Sequence, residues 1–118
     1  MTIRVVSFRV GDKTSWGVTT DGEGIVDLGA REGGSVLERL TSGKAIASLA
    51  DLADLHSPDV AVGDVILLPP VVCGPKIICI GVKNANRNAE YKDQTPDPEW
   101  PSLFMRGQES FTGSGQSL

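Results

Sequence analysis

The chain has 118 residues, 40% of them apolar, with 14 Gly and 7 Pro; this is the size of one domain, or of one small domain and the start of another, and excludes a large multidomain enzyme. The apolar share excludes wholesale disorder, while Gly and Pro are too frequent for a helical bundle, so many turns and short strands are expected. Eleven Lys and Arg against 15 Asp and Glu give a net charge of −4, and no window gathers cations into a stripe, which argues against nucleic acid as a partner.

Residues 3–10 alternate imperfectly with period two, Gly11-Asp12-Lys13 reads as a turn, and residues 14–19 alternate again; the pattern predicts a hairpin. After a second turn at Asp21-Gly22-Glu23-Gly24, the run Ile25-Val26-Asp27-Leu28 supplies a third strand of a small antiparallel meander. Ser35 is placed to cap a helix, with Glu38 at the capping-box position. Val36, Leu37 and Leu40 share one face of that helix, which stops at Thr41-Ser42-Gly43. A second helix over 45–55 carries Ile46, Leu49, Leu52 and Ala53 on one side, so two short helices are expected to cover the meander. His56, the only histidine, falls at a helix C-terminus and reads as a surface residue, since a cation there suits the macrodipole.

Asp64-Val65-Ile66-Leu67-Leu68 reads as a strand closed by Pro69-Pro70, which can continue neither a ladder nor a helix. A boundary is expected there, between a small N-terminal α+β domain over 1–70 and a second module over 71–118. Lys76-Ile77-Ile78-Cys79-Ile80-Gly81 has no polar alternation, the pattern of a strand buried on both faces. Asn84 can cap a short helix to about Tyr91, residues 93–101 form a Pro-rich loop, and Ser102-Leu103-Phe104-Met105-Arg106 is another strand candidate. A strand of the buried type needs neighbours on both edges and cover on both faces. Residues 82–118 hold too little apolar surface for that, so the second module is expected to be incomplete, its core finished by sequence beyond Leu118 or by another chain.

Cys73 and Cys79 lack the spacing of a zinc or redox motif and read as two reduced core thiols. Asp93, Asp97 and Glu99 lie among prolines and read as solvated charges, so no metal-ligand cluster is recognised. The apolar stretches 60–73 and 77–82 are interrupted by Gly63, Asp64, Pro69, Pro70 and Gly81, and fall short of the roughly 20 residues that span a bilayer. With no signal-type apolar run at the N-terminus, a cytoplasmic protein without a membrane partner is expected.

The segment Lys76-Ile77-Ile78-Cys79-Ile80-Gly81 with Lys83, Asn84, Arg87 and Glu90 behind it, followed by Pro101-Ser102-Leu103-Phe104-Met105-Arg106 and Gly113-Ser114-Gly115-Gln116, resembles the fumarylacetoacetate hydrolase family. The likeness is to its strand–Gly–helix opening, its P-x-L-F-x-K segment and the turn after it. It is densest over 76–118, and the first 70 residues are more loosely similar to the small N-terminal domain that many bacterial members carry. The fold class read here is α+β and strand-rich, a small antiparallel meander with two short helices followed by the opening strands of the family's mixed β fold.

The resemblance implies an enzyme acting on 2-oxo or enol dicarboxylates by C–C bond hydrolysis, decarboxylation, isomerisation or hydration, with Mg or Mn. In the family a His-x-x-Glu pair on the short helix supplies a base and its partner, and here those positions are Arg87 and Glu90. An Arg stays protonated and cannot be a general base, which leaves Glu90 as the proton acceptor; the alternative is an exposed helix pair. Gly81 and Lys83 fall where members read Gly-x-Asn-Tyr, and the resemblance places substrate there. Arg106 matches the family's Lys, where a guanidinium could bind a substrate carboxylate through two parallel bonds, or it is a solvated strand residue. The metal carboxylates of the family lie on later strands, so no metal ligand is assigned to this chain. The implied partners are a small 2-oxo acid and either a second copy, as a homodimer, or a second completing chain. The alternatives are a split hetero-oligomeric enzyme with the metal site on another chain, and a non-catalytic binding or scaffold remnant.

Overall fold

The alternation near the N-terminus becomes a hairpin in the computed structural model, which describes residues 2–44, 46–71, 76–81, 96 and 99–117. Strands β1 (Arg4–Val10) and β2 (Lys13–Thr19) pair in seven-residue register from Arg4↔Thr19 to Val10↔Lys13. The two-residue turn between them needs a positive φ, which Gly11 supplies at 56°. Strand β3 (Gly24–Asp27) follows a turn built by Asp21, whose carboxylate accepts from the backbone N–H groups of Glu23 and Gly24 at 2.8 and 3.0 Å. Those bonds, that from Gly24 first, hold the Asp21 carboxyl below its usual range.

The chain is α+β and strand-rich, as its sequence predicts, and divides into two units, Met1–Gly74 with Phe111–Leu118, and Pro75–Ser110. In the first unit the meander widens into a five-stranded antiparallel sheet of order β4-β3-β2-β1-β5, with β4 at Val60–Ala61 and β5 at Ile66–Leu68. Pairing of Val5 with Val18 and of Val18 with Val26 sets these side chains on one face. There Trp16, Val18 and Val26 join Leu28, Val36 and Leu49 from the helices in one buried cluster. Burying each such side chain contributes about 1.5–3 kcal/mol. Phe8 and Ile25 are also fully buried.

Among the described residues three helices supply that cover, where the sequence predicts two. The unexpected one, α1 (Leu28–Glu32), begins where the third strand was expected to continue, and Leu28 belongs to it. Asp27 caps it by accepting from Ala30 N at 2.9 Å. From beside the neighbouring strand β4, Asp59 accepts from Asp27 N at 2.7 Å and takes both terminal nitrogens of Arg31, at 2.6 and 2.8 Å. The Arg31 bonds, more than any other cause, hold the Asp59 carboxyl below its usual range. A five-residue helix containing a Gly is weak alone; this clamp, made with a residue 28 positions away in sequence, compensates.

Helix α2 (Val36–Thr41) starts as its sequence predicts, with Ser35 Oγ accepting from Glu38 N at 3.2 Å. Its buried face differs from the expected one, because Val36 and Arg39 point inward while Leu40 remains 46% exposed. The inward Arg39 donates from Nη1 to Glu32 Oε2 at 3.0 Å and from Nη2 to Ser48 Oγ at 2.7 Å, bonds that offset part of the cost of burying its charge. Helix α3 (Ser48–Leu55) packs Leu49, Leu52 and Ala53 on the core as expected, but it starts after Ile46, which is exposed. His56 stands at its C-terminal end on the surface, as expected.

Strand β5 pairs with β1 through Ser7↔Leu68, Phe8↔Leu67 and Arg9↔Ile66, and Ser7 Oγ donates to the Pro70 carbonyl at 2.7 Å. The expected strand is shortened at its start because Val62–Asp64 forms a 3-10 turn. Gly113 is buried in the same unit, so close to β5 that a Cβ would collide with the Leu67 carbonyl. Thr112, Gly113 and Ser114 lie beside β1 and β5, lining a small cavity with Val5, Val6, Leu67 and Leu68.

Among the described residues of the second unit, β6 (Ile77–Gly81) pairs antiparallel with β7 (Ser102–Arg106) as a hairpin. The double-sided burial expected of β6 is not present among the described residues: its partner there is β7, and Ile78 and Ile80 are 61% and 58% exposed. The apolar run reflects the demand of this strand for cover, which a two-stranded hairpin cannot meet. The helix expected over residues 84–91 lies outside the described residues, as does Cys73. Cys79 is a half-buried free thiol.

Candidate functional site

Of the five residues singled out for function, Gly81 and Arg106 belong to the hairpin, while Lys83, Arg87 and Glu90 lie outside the described residues. The ladder reads Ile77↔Arg106, Ile78↔Met105, Cys79↔Phe104, Ile80↔Leu103 and Gly81↔Ser102. Side chains paired across an antiparallel ladder share a face, and alternate residues along a strand do too. Gly81, Phe104 and Arg106 therefore lie on one face of the hairpin, with Cys79 and Ile77. Gly81 and Arg106 occupy opposite ends of it, four residues of strand or about 13 Å apart.

Phe104 fills the space between them. Its Cε1 lies 3.6 Å from where a Cβ on Gly81 would be, and the Arg106 guanidinium carbon lies 5.7 Å from its ring centroid. Gly81, with no side chain, leaves room for the edge of the ring, while the ring face attracts the Arg106 cation above it by its quadrupole, an interaction worth about 0.5–1 kcal/mol at an exposed position. Arg106 is exposed, so its donors are available to a solute anion. Phe104 was not singled out as a functional residue from the sequence. The signal was there in its i, i+2 spacing from Arg106, which on a strand guarantees a common face.

Elsewhere, in the first unit, a cavity of about 240 Å³ opens beside Arg39 and is lined also by Trp16, Glu32, Gly33, Glu38 and Lys44. Trp16 Nε1 donates to the Gly33 carbonyl at 3.0 Å, which fixes its rim. Two acids and two bases line this cavity, and none of the residues singled out from the sequence does.

A divalent hard cation needs several convergent oxygen ligands. Among the described residues no group of three or more His, Cys, Asp or Glu side chains could hold a metal ion. Nor, among them, is any helix long and apolar enough to cross a membrane. In comparisons with known proteins, no family model, no curated protein and no solved structure matches the chain.

Proposed function

We propose that this chain is part of an enzyme similar to the fumarylacetoacetate hydrolase family, cytoplasmic and acting on 2-oxo or enol dicarboxylates. The observation that carries the reading is the β6–β7 ladder. Two of the separate stretches on which the resemblance rests pair with each other over 77–81 and 102–106, and set Gly81 and the cation Arg106 on one face. In this reading Arg106 binds a carboxylate of the substrate through its planar fork. Glu90 accepts the proton, and Arg87, permanently charged, holds developing negative charge. Gly81 and Lys83 border the substrate. Mg or Mn would supply Lewis acidity toward the 2-oxo acid when bound, with its ligands outside this chain.

A second reading, a subunit of a split enzyme whose metal site lies on another chain, is favoured by one observation. Ile78, Ile80, Leu103 and Met105 line the hairpin face opposite Phe104 and are 58–68% exposed, which a completing polypeptide would cover.

The protein as it assembles, with the continuation of this chain or the partner that carries the metal ligands, sized under native conditions and incubated with Mg or Mn, is expected to consume an acylpyruvate or oxaloacetate, followed as loss of enol absorbance and release of pyruvate. Turnover by a homodimer supports the first reading, and turnover only in a hetero-complex supports the second. A native mass of one 12.5 kDa chain with neither turnover nor substrate binding would overturn both and leave a binding or scaffold role.

A further inference from the structure

No further inference is drawn: the strongest candidate, the exposed apolar face that Ile78, Ile80, Leu103 and Met105 form on the β6–β7 hairpin, carries none because nothing in the structure shows what covers it.

Discussion

The guanidinium of Arg106 lies over the ring of Phe104, 5.7 Å from its centroid, and the strand period of two puts both on the face that also bears Gly81. A planar cation resting on an aromatic ring keeps its N–H edges free for a carboxylate. If the assembled protein binds a 2-oxo acid there, Arg106→Ala raises KM by about ten- to a hundredfold, the equivalent of about 1.5–3 kcal/mol for a charged hydrogen bond. Arg106→Lys retains charge without the fork and falls between. Steady-state kinetics decides the matter, and an unchanged KM in Arg106→Ala makes this a solvated strand residue.

Arg87 and Glu90 carry a prediction that rests on side-chain chemistry. If Glu90 is the proton acceptor proposed above, Glu90→Gln removes it without changing its shape, and kcat is expected to fall by about 10²–10⁴. Arg87→His replaces a permanent cation with a group that titrates near neutrality, so substrate binding should weaken while hydrolysis of an acylpyruvate gains over decarboxylation of oxaloacetate. Kinetics with both substrates, on variants shown to be folded by circular dichroism, tests the pair. Unchanged parameters in both variants would sink the assignment.

Asp59 predicts a pH dependence of stability. Its folded pKa is depressed by Arg31, so the folded state binds its proton less tightly than the unfolded chain does. The associated stability is present above the ordinary carboxylate pKa of 3.8 and is lost as pH falls through the lower folded value. Urea midpoints for the native protein and Asp59→Asn should differ most near pH 6–7 and converge toward pH 3. Asp59 and Arg31 both remain about one-third exposed, so high salt should narrow the gap too. A gap independent of pH would show that the clamp acts through shape alone.

Arg39 offers a test of packing against charge. Its side chain is 7% exposed and reaches Glu32 and Ser48. Arg39→Ala removes an apolar stem and leaves those partners without the guanidinium, at a cost of about 2–4 kcal/mol. Arg39→Met keeps most of the stem and should cost less than half as much. Chemical denaturation distinguishes the two, and equal losses would assign the whole effect to the charge.

Local pattern and tertiary demand divide clearly along this chain. The β1–β2 hairpin was legible because alternation and a Gly turn act within 20 residues, and the start of α2 because Ser35 and Glu38 meet within one helical turn. Helix α1 was not, since Leu28 completes the strand-like run Ile25-Val26-Asp27-Leu28, and the Asp27 cap that starts the helix is held by Asp59, far along the sequence. The inward turn of Arg39 in place of Leu40 was hidden for the same reason: a helix places both residues near the core boundary, and Glu32 and Ser48 decide between them.

For the candidate site, the sequence by itself determined the residue types: a Gly ending one apolar strand, a Phe and an Arg alternating on another, an Arg at the position where the resemblance implies a base. Side-chain chemistry is local, so an arginine cannot become a general base whatever surrounds it. Only the tertiary structure decided that these two strands are partners and in what register, which puts Phe104 between Gly81 and Arg106. Register is a relation between distant segments: a slip of one residue would move every side chain to the other face, and no pattern within either strand records its partner.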